Sequence, residues 1–478
     1  MNDPLPAGPY EMLSLGERKV PLYVIPFDKD GVLQAPKTAE RLVADAAGAD
    51  TVIVISHGWN TDFNGALGFY RGTVSQLDAT MHAHGVVPGT TIVVGISWPS
   101  ELLSEAKAPA MAGAPNAGGD EADLGGLTAL ADEIAPKDRG AFYELAQRES
   151  LDEAQALEFA RLLAPLFGAP DGDLPAAAAT EGDARAGDRD AAGIVATWRA
   201  VQSRLQDAAG PVIVEGPSGP AAGGPAAGGP TGGPSAGGPS AGGPAAGGPA
   251  AAGFLEKLNP KNIIRLASVL QMKDRAGVVG FRGVGPLLGR VLSAASANET
   301  PARVHLVGHS YGCKVVLSAL ASLPDEPVNQ VRSTLLLQPA VSYLALADTI
   351  PDLGQPGGYA VDKRRVALPI TATWSRHDAP LRTFFALAVR RASDLGDQNI
   401  GAAGRDEPPS RFAAMGGYGP YEEGDVADID VLDPASGTRY PLDSGAEVLA
   451  IDGTTRISGH GDVTNPATSW ALYNLVTA

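Results

Sequence analysis

The stretch Val304-His305-Leu306-Val307-Gly308-His309-Ser310-Tyr311-Gly312-Cys313-Lys314-Val315-Val316 permits few folds. An apolar run of strand type enters Gly-x-Ser-x-Gly, and an apolar segment of helical type leaves it. That order holds a hydroxyl on a sharp turn at the carboxyl end of a buried strand. The same five-residue pattern recurs around Ser235 and Ser240, inside a Gly/Pro tract that can form neither strand nor helix. Context therefore singles out Ser310 as the candidate nucleophile.

The flanking chain alternates between the two kinds of element. Glu11 to Phe27 reads as an antiparallel strand pair about the turn Gly16-Glu17-Arg18, and Lys37 to Ala47 as an amphipathic helix. Thr51-Val52-Ile53-Val54-Ile55 is too uniformly β-branched for a half-exposed strand and predicts one covered on both faces, as in a parallel sheet. A helix from Asn64 to His84, a strand from Thr90 to Ile96, and helical spacing from Pro260 to Leu292 behind an Asn259 cap follow. Further strands are expected at Ser333–Pro339, Ile370–Trp374 and Glu447–Asp452, with a last helix opened by Asn465-Pro466. Strands alternating with helices predict an α/β fold with a mostly parallel central sheet flanked by helices.

About 200 residues separate Ser100 from the strand of Ser310, far more than an ordinary crossover, so the chain carries a large insertion before the nucleophile strand. The expected organisation is a core of residues 10–100 and 254–478, a helical insertion at 101–215, and a disordered Gly/Pro-rich linker at 216–253. Between 101 and 253 there are 21 acidic and 9 basic residues, so −12 of the formal −18 lies there. A lid or a protein-binding appendage on a tether whose ends wander roughly 35 Å apart, and a tolerated surface insertion, both fit.

The acidic balance argues against nucleic acid or an anionic lipid surface as partner, since both demand a basic face. No basic-then-apolar leader opens the chain, and no run reaches the roughly 18 apolar residues of a membrane span. The single cysteine, Cys313, allows no intrachain disulfide and reads as a small buried residue. A cytoplasmic location is the default expectation. His82 and His84 stand two apart with no acidic or cysteine partner nearby, and no metal or organic cofactor is expected.

A serine hydroxyl needs a base, and in open parallel sheets the reacting groups collect at the carboxyl ends of strands. His57, His309, His377 and His460 all sit just past strands. His57 belongs to a His57-Gly58-Trp59 turn whose backbone can offer N–H groups to an oxyanion, with the Trp59 N–H preferred. His309 is too close to Ser310 in the chain to turn its ring on the hydroxyl. His460, on the glycine-flanked loop Ser458-Gly459-His460-Gly461-Asp462, is the chosen base, with His377 as competitor. Asp378 is the chosen acid and Asp348 the fallback. Asp462 either orders the His460 loop or caps the last helix, and Trp98 is assigned to a pocket wall.

Gly308-His309-Ser310-Tyr311-Gly312, the His57-Gly58-Trp59 turn, Asp378 and His460 together resemble the α/β-hydrolase superfamily of serine esterases and lipases, over roughly residues 10 to 100 and 260 to 478. The resemblance implies an α/β-hydrolase fold, Ser310 as nucleophile, His460 as base, Asp378 as orienting acid, and oxyanion donors from the backbone of Tyr311 and Trp59. It further implies cleavage of a small-molecule or lipid-like carboxylic ester through an acyl-enzyme; a thioester or peptide bond would engage the same groups. A non-catalytic interaction protein on the same scaffold is the rival expectation.

Overall fold

The computed structural model of the protein describes residues 7–100, 127–164 and 258–478, apart from 128, 129, 132, 297–299, 325–330, 352, 386–406 and 422–423, together with 191, 192, 194–196, 198 and 199. The Gly/Pro tract 216–253, the first part of the insertion and residues 200–208 lie outside the described residues.

β1 (Glu11–Leu15) and β2 (Arg18–Pro26) form the antiparallel pair, turning at Gly16 with φ +62°. α1 (Pro36–Ala46), β3 (Thr51–Ser56), α2 (Phe63–Ala83) and β4 (Thr91–Ser97) follow. The described part of the insertion holds α3 (Arg139–Ala146) and α4 (Glu153–Leu163). Then come α5 (Pro260–Val278), a π-helical turn at Val279–Val284, α6 (Gly285–Ala295), β5 (Arg303–His309) and α7 (Tyr311–Ala321). β6 (Ser333–Leu337), β7 (Ile370–Trp374), α8 (Met415–Tyr418), β8 (Val426–Asp430), β9 (Val448–Asp452) and α9 (Pro466–Val476) complete the chain.

The nine strands make one sheet in the order β1-β2-β4-β3-β5-β6-β7-β9-β8, parallel throughout except for β1 against β2. β8 carries Asp428 and Asp430 in an otherwise short apolar pattern, which the sequence reading did not recognise as a strand; an edge position tolerates those acids. Alternation of side chains splits the core in two. Val52, Val54, Val304 and Leu306 face α1, α5, α6 and α7, while Ile53, Ile55 and Val307 face α2 and α9. With both faces covered, each such aliphatic contributes about 1.5–3 kcal/mol by leaving water.

The insertion shares this core. Phe142, Leu151, Phe159, Leu163 and Trp198 are buried in the same cluster as the α7 face of the sheet. Asp152 and Gln155 exchange reciprocal bonds at the start of α4. The chain's departure and return are tied together where Leu151 and Leu258 trade backbone bonds of 2.7 and 3.1 Å.

α5, the π turn and α6 run on as one apolar rod across α7. Ala267–Ala295 is long and apolar enough by composition to cross a membrane, yet 56% of its most apolar window is buried within the fold, the setting of a core helix. Its approach to α7 is so close that a Cβ on Gly280 would stand 2.3 Å from the Val315 carbonyl oxygen and 2.7 Å from Ser318 Cβ. Gly280→Ala is therefore expected to cost about 1–3 kcal/mol by overpacking, seen as a lowered thermal-unfolding midpoint; an unchanged midpoint would show that the two helices can spread freely.

Candidate active site

Connections leave β3 and β5 in opposite directions, the first toward β4 and the second toward β6. The crevice at the carboxyl ends of two such strands is where open α/β sheets receive ligands. Ser310 sits there, at φ +55° and ψ −123° between β5 and α7. That backbone region costs of order 1–3 kcal/mol for a residue with a side chain and is held only where its surroundings leave no alternative.

The two glycines of the motif supply that constraint. A Cβ on Gly308 would lie 2.6 Å from Cys313 Cα, and one on Gly312 would lie 2.3 Å from the Ser56 carbonyl oxygen and 2.5 Å from that of His57. A third glycine completes the fit, because a Cβ on Gly58 would stand 2.8 Å from Ser310 Cβ. Only glycine at these positions lets α7 start hard against the end of β3. Ser310 N–H donates to Leu337 O at 3.1 Å, so β6 braces the turn from the other side.

The three residues chosen from sequence meet in one chain of hydrogen bonds. His460 Nε2 is 2.9 Å from Ser310 Oγ, and His460 Nδ1 is 2.8 Å from Asp378 Oδ2. Asp378 is fully buried and its Oδ1 accepts from Leu381 N–H at 3.0 Å. A carboxylate there can only accept, so it draws the proton of the neutral ring to Nδ1 and leaves Nε2 bare for the serine hydroxyl. The alternatives stand elsewhere. His377 is exposed, and Asp348, whose side chain is 57% exposed, pairs with Lys363 Nζ at 2.8 Å.

The turn after β3 is tied to the end of β4. Asn60 N–H donates to Ser100 O at 2.9 Å, and Ser100 Oγ–H donates to Thr61 O at 2.9 Å. Asn60 has φ +51°. Held in this way, the Trp59 amide N–H has no acceptor among the described residues, and the Trp59 ring leans on that of Tyr311 at 6.5 Å. Tyr311 opens α7, so its amide stands at the N-terminal end of that helix, directly after Ser310.

His57 and Trp98 lie beneath this turn. Their rings stack at 5.5 Å and 8°, and the Trp98 indole N–H donates to His57 O at 3.2 Å, so Trp98 supports the turn from below. His84 likewise packs on Trp470 at 4.6 Å. Asp462 orders the His460 loop, accepting from Ser458 N–H and Oγ–H at 2.9 Å each, and Asn465 caps α9.

Two features escaped the sequence reading. His309 faces the loop of His460, and Gln338, at φ +40° directly before Pro339, donates to that loop. The signal available was a polar residue closing the apolar run Leu335-Leu336-Leu337 at the reacting edge. By contrast, the surface hollow lined by Arg18, Lys19, Thr90 and Thr91 lies at the amino ends of the strands, away from Ser310. Ser310 itself is 1% exposed.

No protein-family model, curated protein or solved structure matches the chain.

Three imidazoles, His57 and His305 buried and His309 half-buried, titrate abnormally. Burial pushes His57 down to about 4, and His305 and His309 down to about 3. For each the unfolded chain binds a proton that the folded chain refuses, so the stability present above about pH 6.5 is lost as the pH falls toward the folded value. At pH 5 each imidazole favours unfolding by about 2 kcal/mol. The thermal-unfolding midpoint is expected to fall steadily from pH 6.5 to pH 4.5; a flat profile would mean that these rings accept protons in place.

Proposed function

We propose that the protein is a serine hydrolase of α/β-hydrolase type that cleaves a carboxylic ester through an acyl-enzyme intermediate. The observation that carries this reading is the unbroken chain Asp378–His460–Ser310, with a strained serine at its end.

The chemistry follows from where charge would develop. Ser310 Oγ attacks the carbonyl carbon while its proton passes to His460 Nε2, and the imidazolium formed is stabilised by the buried Asp378 carboxylate. The carbonyl oxygen, now negative, would lie between the amides of Trp59 and Tyr311. A donor fixed in advance for such an oxyanion is worth about 3 kcal/mol, since no reorganisation is needed when the charge appears. His460 then gives its proton to the departing alkoxide. Water, deprotonated by the same nitrogen, attacks the acyl carbon and releases the acid and Ser310.

A fluorophosphonate probe is expected to label the wild-type chain covalently at Ser310 and to leave Ser310→Ala unlabelled; a folded wild type that resists the probe would instead favour a non-catalytic role for the scaffold. The two carboxylates separate cleanly in the same assay with a short nitrophenyl ester. Asp378→Asn should lower kcat by roughly 10³–10⁴-fold, because the amide no longer selects the tautomer that leaves Nε2 free. Asp348→Asn should leave turnover at the wild-type level, and the opposite ranking would assign the acid to Asp348.

A further inference from the structure

The loop that carries His460 leaves β9 and crosses the carboxyl edge of the sheet toward β5, and each strand it passes lends it a side-chain donor. Just past β7, Ser375 Oγ–H donates to Ile457 O at 2.8 Å. Just past β6, Gln338 Nε2–H donates to Gly459 O at 2.9 Å. At the end of β5, His309 Nε2–H donates to His460 O at 2.9 Å. The donors follow the order in which the strands lie, β7, β6, β5, and their acceptors follow the loop.

The last two bonds hold the consecutive carbonyls on either side of the His460 α-carbon, so they fix the height and tilt of the residue whose ring reaches Ser310. Both are maintained at a cost. Gln338 adopts φ +40° although it bears a side chain and precedes a proline, and its Oε1 is buried with no partner among the described residues. His309 is half-buried against the Phe69 ring, 5.8 Å away, and a carbonyl partner requires its single ring proton to sit on Nε2. Strain of this kind persists only where the surrounding structure over-determines it, as the bond to Gly459 O helps to do here.

We infer that His309 and Gln338 are positioning residues that set the His460 imidazole over Ser310 Oγ by clamping the carbonyls of His460 and Gly459. The inference rests on reading His460 and Ser310 as base and nucleophile. Misplacing a reacting group by about 1 Å can cost on the order of 10²-fold in rate, so loss of either clamp should be visible in turnover without loss of the fold.

The test uses the full chain and four proteins: wild type, His309→Leu, His309→Gln and Gln338→Leu. Both leucine variants should react with a fluorophosphonate roughly 10–100-fold more slowly and lose kcat on a short nitrophenyl ester by the same factor, with KM unchanged. Amide exchange over residues 457–462 should quicken in both. His309→Gln, whose Nε2 can reach the same carbonyl, should recover most of the rate. Leucine variants that label at the wild-type rate would overturn the inference, as would a His309→Gln chain as slow as His309→Leu. If one leucine variant does not fold, the other and His309→Gln decide by the same criteria. A wild type that does not label at all would sink the hydrolase reading; the clamp would then stand or fall on exchange at 457–462, and equal rates in wild type and variants would refute it.

Discussion

The turn at Ser310 holds because no side chain stands between the first turn of α7 and the end of β3. Gly312 lets the helix backbone meet the carbonyls of Ser56 and His57, Gly308 lets the strand pass under Cys313, and Gly58 brings the neighbouring turn against the serine itself. Close packing leaves Ser310 one backbone conformation, at positive φ, and that conformation lifts the hydroxyl above the sheet. The other groups of the edge are placed relative to this fixed point. β6 braces it through Leu337 O, and His460 and Asp378 approach from the far side.

Strain is concentrated accordingly. Asn60, Ser310 and Gln338 are the non-glycine residues at positive φ among the described residues, and they close β3, β5 and β6, three neighbours in the sheet. Each is restrained by bonds to an adjacent element: Asn60 to Ser100, Ser310 to Leu337, Gln338 to Gly459. The two-faced hydrophobic core beneath supplies the stability against which such local costs are set.

The sheet was legible in the sequence wherever one environment dominated a strand. Thr51–Ile55 and Ser333–Leu337 are buried throughout and mostly apolar because both faces are covered, and the motif around Ser310 marked its own strand, turn and helix. β8 was not legible, because an edge strand with one wet side and two acids has no such uniform pattern. The His460–Asp378 contact joins residues 82 apart in sequence, and only chain order and strand ends suggested it. His309 was set aside on the ground that it could not turn toward the serine. That geometric point left open its other direction, toward a loop 151 residues away, which no local spacing encodes. Trp98 reads as an apolar wall from the sequence, but its stacking on His57 is not written in its neighbours.

Trp198 rests on Phe159 of α4, and Leu258 bonds to Leu151 at the foot of the same helix. The polypeptide between residues 199 and 258 thus begins and ends on one small unit that is itself sunk in the core. A fault in α4 would therefore be felt by the chain on both sides of that excursion, since Trp198 and Leu258 both rest on this one buried unit.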